Sequence, residues 1–199
     1  MAKLRWWVPA LAVGVPLAVG TLAVGCASAP SGDLVGGGAE AAGRTDDESR
    51  RAIAGDRAAL EAGLERFLGL FREFTPEAVA AAAREAYSAD AYFNDGFAEL
   101  QGAAAIAEYF GRAAAHTEMI DIEVEDIVWG TADVYVRWTM RFTTAGSRPR
   151  SIVAPGISQL RFDEAGRVLY HRDHWDASAA LATFVPLVSR VLGAIRARL

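Results

Sequence analysis

The chain has 199 residues, 52% of them hydrophobic, and a formal net charge of −5. That length allows one folded domain with appendages, and a domain of about 140 residues buries enough surface to stand without cross-links. A single cysteine, Cys26, excludes an intrachain disulfide. With three histidines beside it, neither a structural zinc site nor any other metal or cofactor is expected. The mildly acidic balance contains no basic cluster, which argues against nucleic acid as a partner.

The N-terminus reads as an address. Lys3 and Arg5 precede an uncharged stretch from Trp6 to Ser31, the export pattern of a basic region followed by an apolar run. The run ends in "LAVGCAS", with Gly25 before Cys26. This string resembles the lipobox of bacterial lipoproteins, which implies that Cys26 is lipidated and begins the mature chain. The alternative is an uncleaved anchor, since the 22 residues from Trp6 to Ala27 could cross a hydrocarbon core of about 30 Å. Either form leaves the basic residues inside and the domain on the extracytoplasmic side, attached to the membrane. Residues 27–52, rich in Gly, Ala and Ser and carrying "RTDDESRR", read as a flexible linker. The folded domain is expected over residues 53–199.

From Asp56 to Phe74, Leu60, Leu64, Phe67, Leu68, Phe71 and Phe74 recur at helical spacing. Thr75-Pro76-Glu77 restarts a helix with an N-cap, a first-turn proline and an acid suited to the helix dipole; it runs to about Ala86. A short extended piece, "AYFND", follows, then a turn at Gly96 and a third helix over about 103–114. Beyond it the period changes to two. Ile120, Ile122 and Val124 alternate with acids, and Ile127 and Trp129 fall in the opposite phase, which places a bulge near Glu125-Asp126. On the next strand Val134, Val136, Trp138, Met140 and Phe142 share one face, and Tyr135, Arg137, Thr139 and Arg141 the other. Residues 151–163 and 167–176 form two more strands around the "DEAG" turn. Helices followed by antiparallel strands make an α+β fold.

This order, with the strings "YSADAYFNDGF", "GAAAIAEYF", "LRFDEAGRV" and "HRDHWD", resembles the nuclear transport factor 2-like superfamily and its SnoaL-like members over about residues 57–176. The resemblance implies helices packed on a curved antiparallel sheet around a conical pocket. It leaves open whether the domain is an enzyme, because the superfamily mixes enzymes with binding proteins.

Two enzyme patterns within that resemblance can be laid on the residues. In the ketosteroid isomerases the base is an aspartate just after the first short strand, which Asp95 matches. The two positions that stabilise their dienolate fall on Phe67 and Pro155, and neither side chain can donate a hydrogen bond. Loss of one such donor costs about a hundredfold in rate, so Asp95 is left without its oxyanion partners, and capping the turn before Gly96 is its simpler role. In the limonene epoxide hydrolase pattern, Asp173 resembles the basic aspartate, Tyr92 and Asn94 the pair that positions water, and Arg137 the bridging arginine. The acid position falls on Thr139, a poor proton source. An Asp173–Arg137 ion pair that only holds the cone together is the structural alternative.

Asp173 shares a strand face with His171 and Trp175, which makes all three pocket candidates along with Thr139. His171 and His174, three apart on a strand, point to opposite faces and do not form a metal pair. Trp129, Trp138 and Trp175 are expected in the core or pocket wall. The C-terminal segment, 177–199, is helical in period with a break at Pro186. Phe184, Val188, Val191, Ile195 and Leu199 form its apolar stripe, flanked by Arg190, Arg196 and Arg198. It would pack on its own domain, on a second subunit in a homodimer, or on the membrane surface. Two functions follow. One is a pocket for a small apolar molecule, with Asp-based proton or water chemistry of hydrolase, isomerase or cyclase type. The other is a non-catalytic binding or protein-interaction module of the cell envelope.

Overall fold

Alternation decides which way each strand faces, and the sheet follows from it. A computed structural model describes residues 36–147 and 149–177, with residues 180, 193, 197 and 198 beyond them. The apolar run with Cys26 lies outside this range, as do Phe184, Pro186 and the rest of the C-terminal stripe. Among the described residues, no helix is long and apolar enough to cross a membrane.

The strands are β1 (Tyr87–Asn94), β2 (Glu99–Gln101), β3 (Thr117–Trp129), β4 (Val134–Thr144), β5 (Ser151–Phe162) and β6 (Val168–Trp175). They form one sheet in the order β2-β1-β6-β5-β4-β3. From β3 to β6 the sheet is the antiparallel meander that the sequence predicts. The register of β3 on β4 shifts between Val124 and Asp126, at the predicted bulge. β1 joins the far edge parallel to β6, with its own register shift between Tyr87 and Tyr92.

The helices α2 (Arg57–Gly69), α3 (Pro76–Ala86) and α4 (Ala103–Ala115) cover the inner face. Asp56 caps α2 by accepting from the amides of Ala58 and Ala59 at 2.9 and 3.2 Å. The helix buries Leu60, Leu64 and Phe67. It stops at Gly69, short of the predicted Phe74, so that Phe71 and Phe74 reach the core from the following turns. α2 approaches the β5–β6 turn so closely that a Cβ on Gly63 would lie 2.1 Å from the Gly166 carbonyl oxygen. Thr75 caps α3, and the alanine-rich faces of α3 and α4 pack together at the back of the core.

A further helix, α1 (Gly36–Ala54), corrects the expectation of a flexible linker over residues 27–52 and moves the start of the described fold back to residue 36. Its inward stripe is Gly38, Ala41, Ser49 and Ala52, with Thr45 half-buried among them. These small side chains let the helix lie flat on the outer face of the sheet, where it meets β1, β5 and β6. Polar bonds, rather than apolar bulk, fix it there. The Ser49 hydroxyl, fully buried, donates to the Ala132 carbonyl at 2.6 Å. Arg161, buried beneath the helix, pairs with Asp133 at 2.7 Å and with Asp46 at 3.3 Å, and donates to the Ala42 carbonyl. Its guanidinium also sits 5.6 Å over the ring of Tyr170.

Arg161→Met removes this clamp and leaves the half-buried Asp133 with Gln159 as a remaining side-chain donor, which costs about 2 kcal/mol. Denaturant unfolding should register that loss, and hydrogen exchange should speed up in α1 before the rest of the fold. Unchanged protection of the α1 amides would contradict the clamp.

Candidate functional site

The inner face of the sheet and the aromatic sides of α2 and α4 enclose a cavity of about 680 Å³. Phe67, Phe71, Phe93, Phe110 and Val136 make up much of its wall. Its polar groups are few: Asp95, Tyr109, Ser158, His171, Asp173 and the indoles of Trp138 and Trp175 among them.

Strand register explains why these residues meet. On the inner face Ser158 lies opposite Val136 on one side and Asp173 on the other, and Phe93 lies opposite His171. A continuous chain of hydrogen bonds runs along this row. The Trp138 indole N–H donates to Ser158 Oγ at 2.9 Å, and Ser158 donates to Asp173 Oδ1 at 2.6 Å. His171 Nε2 meets the same Oδ1 at 2.8 Å, and His171 Nδ1 meets the Tyr87 hydroxyl at 2.7 Å. A carboxylate only accepts, so Nε2 carries a hydrogen; in the neutral ring Nδ1 then accepts from Tyr87. The imidazole is fully buried, with the rings of Phe67 and Phe93 edge-on at 5.1 Å. Gly156 makes room for the indole, since a Cβ there would lie 2.3 Å from the Trp138 ring. Among the described residues no partner holds Asp173 Oδ2.

Asp95 both caps the turn and lines the cavity. Its Oδ1 accepts from the amides of Phe97 and Ala98, each at 2.9 Å, and its Oδ2 accepts from the Tyr109 hydroxyl at 2.5 Å. The Trp175 indole N–H donates to the Asp95 carbonyl at 2.6 Å. Burial raises the pKa of the Tyr109 phenol, and the hydrogen bond to Asp95 adds to the rise. Tyr87 is also pushed well up, by burial first and then by the charges of Asp173 and Asp95.

The other sequence candidates lie elsewhere. Arg137 lies opposite Ile157, which lies opposite His174, in the outer row of the sheet. Arg137 therefore pairs with Glu125 on the exposed face and not with Asp173, and Thr139 donates to the same Glu125 at 2.6 Å. The apolar set from Val134 to Phe142 claims the inner face of β4 and forces this arrangement. Tyr92 and Asn94 share the parity of Tyr170 and Arg172, not of Asp173. Tyr92 stacks on Tyr170 at 5.1 Å beneath α1, and Asn94 donates to the Tyr92 hydroxyl. The epoxide hydrolase constellation is thus not assembled. Pro155, like Arg137, faces out. His174 lies outside as well, near Gln159 at 3.3 Å, opposite in face to His171.

Sequence reasoning missed Ser158, Tyr87 and Tyr109. Ser158 was detectable as a polar residue in the buried phase of "IVAPGISQL". Tyr87 was not, because the register shift after it hides its parity.

A family model for the SnoaL-like domain matches residues 64–171, more than half of the chain. The chain belongs to the SnoaL-like family. Similar solved structures include a proposed SnoaL-like polyketide cyclase from Shewanella denitrificans, 18% identical, covering 62% of this chain and 96% of that one with a TM-score of 0.52. A proposed isomerase from Rhodopseudomonas palustris is 19% identical over 61% and 94% of the two chains, with a TM-score of 0.53. A protein of ketosteroid isomerase-like fold from Catenulispora acidiphila, solved with trimethylamine, is 16% identical over 61% and 90%, with a TM-score of 0.52. No curated protein matches the sequence. These likenesses establish the nuclear transport factor 2-like fold of this SnoaL-like domain; α1 precedes the residues that the family model matches.

The raised tyrosine pKa values give an alkaline signature. Above about pH 10 the folded SnoaL-like domain retains phenolic protons that the unfolded chain loses. The stability these groups contribute is complete below that pH and is lost as pH rises further. In an ultraviolet phenolate titration, Tyr87 and Tyr109 should ionise only with unfolding. Tyr109→Phe should remove one of the late-titrating groups. Smooth ionisation of all tyrosines near pH 10 in a folded chain would contradict this burial.

Proposed function

We propose that the cone of this SnoaL-like domain holds a small, largely apolar molecule and that Asp173 accepts a proton or a hydrogen bond from it. The observation that carries the proposal is the convergence of Ser158 and His171 on a single oxygen of Asp173, at 2.6 and 2.8 Å. Two donors fill Oδ1 and fix the carboxylate, so Oδ2 is left as the acceptor within an aromatic cavity. Such positioning is what a general base needs, provided the proton it takes lies within hydrogen-bond reach. The Catenulispora protein of the same fold, solved in complex with trimethylamine, supports small-molecule binding by this type of domain.

Binding without turnover is favoured by a second observation. An enolate or similar oxyanion would need a free donor. The N–H and O–H groups of Trp138, Ser158, His171, Tyr87, Tyr109 and Trp175 are all engaged within the protein. Asp95 is bound up in the turn and in Tyr109, so in this proposal it holds the wall in place rather than acting as the base. From the sequence alone, the proposal places the domain outside the cytoplasmic membrane, tethered through a lipid on Cys26 or through an uncleaved anchor.

The test is a thermal-shift screen of the full-length protein with lipophilic epoxides, steroids and polyketide-like compounds. A ligand at about a hundred times its dissociation constant stabilises the fold by roughly 2.7 kcal/mol. Asp173→Asn keeps an oxygen for Ser158 and His171 but presents an amide where Oδ2 was. It should stay folded and lose about tenfold or more in affinity for hydrogen-donating ligands. If no compound shifts the melting temperature and Asp173→Asn unfolds the chain, the network is structural and the pocket proposal fails.

A further inference from the structure

We infer that the cavity selects lipophilic organic cations, amines protonated on nitrogen or quaternary ammonium ions, over neutral and anionic molecules of the same shape. The inference rests on the pocket proposal above and narrows its ligand class.

Three features of the lining lead to it. The first is charge. Asp95 and Asp173 both line the cavity, and among the described residues no Lys or Arg is paired with either. Among the described residues, the one cationic side chain of the lining, Arg72, is an exposed rim residue already paired with Glu65 at 3.1 Å. Carboxylates held in an apolar enclosure without a fixed cation favour a mobile one, because a buried charge is costly unless paired.

The second feature is the balance of hydrogen-bonding groups. Away from Arg72 at the rim, the N–H and O–H donors of Trp138, Ser158, His171, Tyr109 and Trp175 are each spent on an acceptor within the protein. What is left over is acceptor capacity, chiefly Oδ2 of Asp173. Beside Asp173, a ligand bearing carbonyl or carboxylate oxygens finds no free donor among these described side chains to compensate its lost hydration. An ammonium N–H meets an acceptor.

The third is the wall itself. Phe67, Phe71, Phe93, Phe110, Trp138 and Trp175 line the same cavity as the two carboxylates. Aromatic faces attract organic cations through their quadrupole, most strongly where water is excluded. A hydrated metal ion or a bare ammonium would gain little from such walls, so the cation must carry hydrocarbon.

Benzyltrimethylammonium and neopentylbenzene test this directly, since they share one shape and differ by the charge on a single atom. Titrated into the full-length protein and followed by calorimetry and by Trp fluorescence, the cation should bind at least about tenfold more tightly. Asp173→Asn, checked for an intact melting transition, removes the carboxylate's charge and should reduce the cation's affinity about tenfold and change that of neopentylbenzene less than about twofold. Equal or tighter binding of neopentylbenzene would overturn the cation inference and leave the apolar pocket standing. A cation preference that survives in Asp173→Asn would overturn the role given to that carboxylate. If neither probe binds, the inference and the pocket proposal fall together.

Discussion

Alternation along three neighbouring strands places Val136, Ser158 and Asp173 in one inward row and Arg137, Ile157 and His174 in the row behind it. The chemistry available to the cone depends on that separation. A slip of one residue in any of these strands would turn its whole inner set outward. Asp173 would then leave Ser158 and His171, and Arg137 would enter the cavity. The apolar residues from Val134 to Phe142 on β4 hold the register, because exposing Trp138 and its neighbours would forfeit the burial that the core is built on. Gly156 contributes by its lack of a side chain, which lets the Trp138 ring lie against the backbone of β5 and reach Ser158.

With the register fixed, two anchored acids, Asp95 and Asp173, sit among the polar groups of the cavity. Asp173 is held through one oxygen by Ser158 and His171, and Asp95 by its own turn and by Tyr109. In both cases the protein's own donors are turned on its own acceptors. The interior is therefore rigid, aromatic and short of donors, which sets it apart from a site built to stabilise a developing oxyanion. The outer face carries a different load. There Arg161 and the small-residue stripe of α1 convert a row of charged and aromatic side chains into a docking surface for a helix that precedes the family domain.

Much of this was legible in the sequence. The alternation of β4, the bulge near Glu125-Asp126, the cap at Thr75 and the α+β order follow from period and turn chemistry, and the cone from the resemblance its strings carry. The opposite facing of His171 and His174 follows from their spacing. The position of α1 was hidden for a physical reason: its buried stripe is Gly, Ala, Ser and Thr, which leaves no apolar period to detect. The candidate site was only half legible. Matching Tyr92, Asn94 and Arg137 to a family pattern one residue at a time ignored the pairing of strands, which is not encoded locally. Once β5 is known to lie between β4 and β6, parity alone separates Arg137 from Asp173. Tyr87 lies beyond even that argument, because the irregularity between it and Tyr92 breaks the period.

The arrangement of hydrogens between Tyr87, His171 and Asp173 is the centre of this account, and nitrogen NMR of the His171 ring reads it most directly. The account predicts a hydrogen on Nε2, shared with Asp173; in Tyr87→Phe the Nδ1 resonance should move while the hydrogen stays on Nε2. A ring with its hydrogen on Nδ1 and a bare Nε2 would mean that Asp173 is not oriented as described and would contradict the proposal that its second oxygen is the acceptor in the cone.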